Sequence, residues 1–248
     1  LADPQQPKAE QLFNGENFDG WYVYTTETQS ENPGIFQVDN GTIYVPGGNG
    51  NTGFFGGLIT KKSYDNYCLE FEYKWGDATY GNRKDKARDA GVLLHCIGPN
   101  GPGPWMTSYE YQIIEGGTGD LLVVNNDDRP VTLQCSAEAE LRDKQHYFKP
   151  GGETFVFDSG RLNWWGRDPT WKDEAGIRGP HDLESPHGQW NKCKIVAHGN
   201  TLEFYLNGKL VNKATDLNVH RGKILFQTEG AEVWYRNLIL TLLDASSP

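Results

Sequence analysis

The segment Tyr109-Glu110-Tyr111-Gln112-Ile113-Ile114-Glu115 alternates polar and apolar side chains. Successive side chains of a strand point to opposite faces, so Glu110 and Gln112 project together while Tyr111 and Ile113 face the other way. The same device returns in Leu225-Phe226-Gln227-Thr228-Glu229-Gly230, where Gln227 and Glu229 share a face. Two strands that each offer a carboxyl and a carboxamide on one face make the floor of a hydrogen-bonding groove. Sugars are bound by such groups, and glycosidic bonds are commonly cut by pairs of carboxyl groups. The plain alternative is a solvated sheet face, on which charged residues are ordinary.

Other residue types extend the candidate site. His95 is expected near the end of a strand, on the face of Gly91 and Leu93. It is a candidate base near neutral pH, set against the commoner structural role of a lone histidine. Glu72 and Lys74 share the polar face of their strand and are candidate substrate contacts, with an exposed ion pair as the alternative. Lys86 and Arg88 precede the His95 strand and could hold a substrate oxygen or balance acidic neighbours, whereas Arg236 reads as a structural ion-pair partner. Trp105, Trp164, Trp165 and Trp171 sit in or beside loops, where indole faces either stack on sugar rings or plug a core; Trp105 is carried as a substrate contact.

Metal ligation has weaker support. Asp120 and Asn125-Asn126-Asp127-Asp128 supply oxygen donors of the kind Ca²⁺ takes, but without EF-hand spacing, and Asn and Asp in such runs form turns. His181 and His187 fit no standard metal pattern. No cofactor is implied, and participation of a divalent metal is left open. Cys68, Cys96, Cys135 and Cys193 are well separated and lack zinc-type spacing, leaving disulfides and free buried thiols as equal alternatives.

These residues must be held by strands. Leu69, Phe71, Tyr73 and Trp75 alternate with Cys68, Glu70, Glu72 and Lys74, and Asp39-Asn40-Gly41 and Asn207-Gly208 are hairpin signals. The 30 glycines, 13 prolines and 12% aromatic residues suit many strands joined by turns. No stretch has helical periodicity, no repeat is evident, and no apolar run is long enough to span a membrane. About a dozen strands are expected, in one sandwich domain over residues 12–244. Residues 1–11 are read as a flexible lead-in, and residues 160–187 as a long loop insertion ordered by its tryptophans. The net charge of -10 argues against binding a phosphate backbone, so no nucleic-acid partner is expected.

Five blocks in order resemble the 3-keto-disaccharide hydrolase family. They are Leu12-Phe13-Asn14-Gly15 with Gly20-Trp21; Arg88-Asp89-Ala90-Gly91-Val92-Leu93-Leu94-His95; Tyr109 to Glu115; Gly188-Gln189-Trp190-Asn191 with Leu206-Asn207-Gly208; and Gly222 to Gly230 followed by Tyr235-Arg236-Asn237-Leu238. The resemblance implies an all-β, concanavalin A-like jelly roll of two antiparallel sheets and a carbohydrate substrate. It also implies export in glycan-digesting bacteria, to the periplasm or the outer membrane and often as a lipoprotein. The insertion near 160–187 departs from the pattern.

The implied activity is cleavage of a 3-keto-glycoside by elimination and hydration. That route needs a base, a donor to the enolate oxygen and an acid for the leaving oxygen. His95, Glu110 and Glu229 are the candidates for proton transfer, and Lys74 or Arg88 for the oxyanion. A glycan-binding module on the same sandwich, and a hydrolase of unoxidised glucans, are the alternatives. Oligomeric state is not legible.

Overall fold

The period-2 patterns become two stacked sheets. The structure, a computed structural model, describes residues 8–26, 32–126 and 128–244. One sheet has ten strands. Its path runs Glu153–Phe157, Leu133–Ala137, Lys209–Thr215, Thr201–Leu206, Asn191–His198, Tyr67–Thr79, Ala231–Leu242, Thr42–Val45 and Gln37–Asp39, with Ala9–Gln11 pairing onto Ala231–Leu242. The other has eight, in the order His146–Tyr147, Gly160–Asn163, Leu121–Val124, Thr107–Ile114, Asp89–Ile97, Lys223–Glu229, Phe55–Thr60 and Trp21–Thr25. Every pairing is antiparallel except that of His146–Tyr147 with Gly160–Asn163. Among the described residues the only helix is the short 3-10 turn Gly81–Arg83, and none could cross a membrane. The fold is the expected jelly-roll sandwich.

The turn chemistry acts as read. Asn40 and Gly41 take φ of 47° and 77° between the Gln37–Asp39 and Thr42–Val45 strands, and Asn207 and Gly208 take 47° and 80° in the second hairpin. Positive φ at both central residues matches the right-handed twist of the strands they join. Residues 9–11, expected to be flexible, instead pair with Ile239, Leu240 and Thr241. Residues 1–7 of that lead-in lie outside the described residues.

The core fills the space between the sheets. Leu69, Phe71, Tyr73 and Trp75 face it from the ten-stranded sheet, and Tyr109, Tyr111, Ile113 and Phe226 from the eight-stranded one. Phe71 is the hinge of this contact: its ring meets Tyr111 and Phe226 edge-on, with centroids 6.2 and 5.4 Å away. All four cysteines are free thiols. The insertion is anchored as well as long. Trp164 is buried and donates its indole N–H to the Gly116 carbonyl, and Trp171 donates to the Glu115 carbonyl. These two tryptophans pin the loop to the end of the Thr107–Ile114 strand.

Because Phe71 is 1% exposed and joins the two layers, Phe71→Ala should cost about 3–5 kcal/mol of stability. Urea denaturation with an unchanged slope would confirm it; a loss under about 1 kcal/mol would mean that the layers do not depend on this ring.

Candidate active site

The face of the eight-stranded sheet turned away from the core carries the chemistry. Its three central strands are in register so that Gln112 stands opposite Gly91, Glu110 opposite Leu93, and Phe226 opposite Val92. Alternation then sets Asp89, Gly91 and Leu93 on the same outer face as Glu110, Gln112, Leu225, Gln227 and Glu229. Gly91 is the gap that lets the two side chains flanking it converge. A β-carbon there would lie 2.5 Å from both Glu110 Oε1 and Gln227 Oε1.

Hydrogen bonds tie the cluster together. Gln112 Nε2 donates to Asp89 Oδ1 at 2.5 Å and to the Ala90 carbonyl at 3.0 Å, and its Oε1 accepts from Arg161 at 3.4 Å. Arg161 is itself held by Asp120 at 2.9 Å. Asp120 is fully buried, also pairs with Arg167, and accepts the Trp164 backbone N–H. On the other flank Arg83 bridges Asp89, at 3.5 Å, and Asp173, at 2.8 Å. Gln227 bonds the Glu110 carboxyl through its side chain, and its Oε1 is a buried acceptor with no hydrogen-bond donor among the described residues.

Burial governs the protonation of this cluster. Loss of solvent, and then the Asp89 charge, push the Glu110 carboxyl up to about 8, against the partial relief of Arg161. Asp89 rises to about 7 through burial, opposed by Arg83 and Arg161. Glu229, at the more open rim, is raised well above the carboxylate range by burial and by its two acidic neighbours. Neighbouring carboxyls that cannot all ionise share protons, so near neutral pH the cluster holds acid and base forms side by side.

Most of the remaining site candidates lie elsewhere. His95 does not share the face of Gly91 and Leu93. It takes φ of 53° where the register slips against both neighbouring strands, a bulge that turns its ring into the core. There it packs edge-on against Tyr67 and Tyr109, bonds the Val219 carbonyl through Nδ1 at 3.1 Å, and falls to about 4 because burial disfavours its cation. Glu72 and Lys74 project from the outer face of the opposite sheet. Glu72 pairs with Arg236 at 2.5 Å, so the structural reading of Arg236 holds, and Lys74 lies between the rings of Trp190 and Trp234. Parity separates core from surface but cannot say which of two outer faces holds the site.

Arg88 is buried against Glu115 at 2.7 Å and caps the Asp77 carbonyl, so its charge is spent internally. Trp105 does belong to the site face, packed with Tyr22 and Tyr24 on a small apolar cluster of Ile59, Leu93, Met106 and Leu225. Asp120 has Oδ2 committed to Arg161 and Arg167 and Oδ1 to the Trp164 backbone N–H, and Asn125 and Asn126 bond loop backbone, so the turn reading fits the two asparagines; Asp127 lies outside the described residues. Among the described residues no group of three or more His, Cys, Asp or Glu could hold a metal ion.

Asp89, Arg83 and Arg161 are the functional candidates that sequence reading passed over. Asp89 had a signal, because it is in phase with Gly91. The arginines had none, since their partners are distant in the chain.

The sequence profile of the 3-keto-alpha-glucoside-1,2-lyase-like domain matches residues 8–241. The chain belongs to that family. A relative from Bacteroides thetaiotaomicron, named 3-keto-disaccharide hydrolase, is 25% identical over an alignment covering 94% of this chain and 78% of the relative. Among solved structures, a "putative glycosyl hydrolase" from Parabacteroides distasonis superposes with a TM-score of 0.55 at 20% identity, covering 95% of this chain and 94% of that one. The Bacillus licheniformis beta-glucanase gives 0.50 at 12% identity, covering 98% and 100%. The two structures share the fold. The family and the relative support a glycoside-hydrolase-like activity.

Two outcomes test the electrostatics. Glu110 binds a proton in the folded state that an unfolded glutamate releases near 4.5, so its stabilising contribution is complete below that value and is lost as pH rises through about 8. Glu110→Gln should therefore gain stability relative to wild type as pH rises from about 4.5 to about 8, and the difference should level off above that. A pH-independent difference in unfolding free energy would refute the shift. Gly91→Ala should displace two flexible side-chain ends rather than backbone, so it should keep the fold while abolishing most activity; wild-type turnover by Gly91→Ala would detach Glu110 from the chemistry.

Proposed function

We propose that this protein cleaves 3-keto-disaccharides, or related 3-keto-glycosides, by elimination and hydration. The observation that carries the reading is the buried cluster of Glu110, Glu229 and Asp89 on one sheet face, partly protonated near neutral pH, in a chain of this family. A ketone at C3 acidifies the C2 proton. An ionised carboxyl removes that proton, and the electron pair moves onto the C3 oxygen as an enolate. The enolate re-forms the ketone and expels the C1 substituent, whose oxygen takes a proton from a neutral carboxyl. Water then adds across the C1–C2 double bond, hydroxyl to C1 and proton to C2. One water is consumed and no redox step is needed.

The geometry suggests roles. Glu110 and Glu229 handle the two proton transfers, projecting onto the same face from the two strands that flank the Asp89 strand. Asp89, fixed by Gln112 and Arg83, sets the charge that keeps a proton on its neighbours. Arg161 replaces Lys74 and Arg88 as the cation for the enolate oxygen, because it is the guanidinium that reaches Gln112. Gln227 offers its unsatisfied Oε1 to a sugar hydroxyl. Leaving that acceptor unpaired costs stability, a cost that ligand binding would offset.

Reaction in D₂O should place deuterium at C2 of the released keto sugar beyond an enzyme-free exchange control. Glu110→Gln and Glu229→Gln should each lower kcat about a hundredfold or more with little change in substrate binding. Wild-type kcat in both variants would remove the acid–base assignment. Turnover of ordinary disaccharides without deuterium at C2 would favour direct displacement, and sugar binding without any turnover would favour a lectin-like role.

A further inference from the structure

The floor does not end at the carboxyls. Lys223, Leu225, Gln227 and Glu229 alternate onto the same face of one strand, so it runs from acid through amide and apolar to cation. Four residues of strand place Lys223 roughly 13 Å from Gln227. Between them Leu225, Leu93 and Ile59 form an apolar stretch with Tyr22, Tyr24 and Trp105 packed on it.

Lys223 is unusual for a chain of net charge -10. It is half-buried, with its ammonium 4.6 Å from the centre of the Tyr22 ring and donating to the Tyr22 hydroxyl at 3.0 Å. That hydroxyl in turn donates to Asn100 Oδ1 at 2.8 Å. No carboxylate of the described residues forms an ion pair with Lys223, although acidic residues outnumber basic ones 33 to 23. The ammonium is thus steered by an aromatic ring and a phenol rather than neutralised.

Lys223 also lines a cavity of about 330 Å³ together with Arg221, Arg129, Cys96 and Met106. Among the described residues no acidic side chain lines it. Arg221 meets Asp65 at 3.1 Å, but that pair is exposed and weak. Cys96 and Met106, which line the cavity, pack in the same apolar cluster as Leu225, so the basic cavity adjoins the part of the sheet that leads to Gln227 and Glu110.

We propose that this far end recognises an anionic group, carboxylate or sulfate, on the leaving-group half of the substrate; this rests on the function proposed above. The reacting sugar lies over the carboxyls, the ring of the leaving group crosses the Tyr22, Tyr24 and Trp105 side chains that cover the apolar stretch, and its anion meets Lys223 and Arg221. The arrangement also fixes direction. An anion bound the other way round would face Asp89, Glu110 and Glu229, and like charges in a poorly hydrated site repel strongly.

The test uses the whole chain and 3-keto-glucosides whose leaving sugar is glucose, glucuronic acid or glucose 6-sulfate. Wild-type kcat/KM should be at least about tenfold higher for one or both anionic substrates than for the neutral one, expressed mainly in KM. Whichever of the two is preferred names the anion. Raising NaCl to about 0.5 M should compress the ratio, because salt screens the partly exposed charges. Lys223→Met, which keeps an unbranched side chain over Tyr22, should bring the ratio close to one, and Arg221→Gln should lower it in part. Calorimetry with the unoxidised glucosyl-glucuronic acid and glucosyl-glucose reads the subsite without chemistry. If no keto-glycoside reacts but the anionic sugar binds more tightly and loses that advantage in Lys223→Met, the catalytic reading fails and the subsite stands. Equal turnover and equal binding of anionic and neutral sugars by wild type would overturn it, as would a preference that survives both substitutions.

Discussion

Asp89 and Glu110 lie too deep, and too near each other, for both to carry charge at neutral pH, and much of the surrounding structure serves to hold that conflict in place. A lone buried carboxylate would simply take a proton and become inert. Here two arginines, Arg83 and Arg161, pull the cluster toward ionisation while burial pushes it back. Each arginine is itself fixed by a second acid, Asp173 for Arg83 and Asp120 for Arg161. The result is a group of carboxyls balanced near neutrality, a balance that proton transfer requires and stability alone would not favour.

That balance needs rigid positions, and the strands provide them. Glu110 and Gln112 stand on a strand whose opposite face is Tyr109, Tyr111 and Ile113, all fully buried. Moving Glu110 outward would require lifting that strand from the core. The insertion contributes from the edge. Its strand Gly160–Asn163 carries Arg161 to the site, and Trp164 and Arg167 clamp Asp120 behind it. Buried Glu184, from the same insertion, accepts hydrogen bonds from Tyr73, Trp75 and the Gly116 backbone, so the loop is locked to both sheets. The segment that the sequence reading takes as an insertion is thus joined to the candidate active face through one arginine.

What could be read from the sequence follows the same physics. Parity along a strand is local, so the shared face of Glu110 with Gln112, and of Gln227 with Glu229, was legible, as were both hairpins. Parity fails at a bulge, and nothing in Leu94-His95-Cys96 announces one; His95 was therefore expected on the wrong face. Parity also says nothing about which of two outer faces a polar row occupies, which is why Glu72 and Lys74 were grouped with a site on the far side of the sandwich. Sequence leaves Arg88 open between a substrate contact and a partner for acidic neighbours, because its partner, Glu115, is 27 residues away and joins it only through the pairing of the two strands. Arg161 was invisible for the same reason, lying in a stretch whose Gly160–Asn163 strand was read as loop.

The composition of the cluster bears on the kind of chemistry it favours. Displacement at C1 by a carboxylate needs a nucleophile ionised at working pH beside an acid that is not. Glu110 and Glu229 both hold protons more firmly than ordinary carboxyls, which weakens either as a standing nucleophile. A group that gains and loses a proton near neutral pH is instead matched to removing one from an activated carbon and returning it to a leaving oxygen. Enolate charge would develop within reach of Arg161, whose own partner Asp120 is buried and cannot move away to quench it by reorganising. The proposed elimination would ask of this face only proton exchange, with no covalent bond between a carboxylate and the sugar.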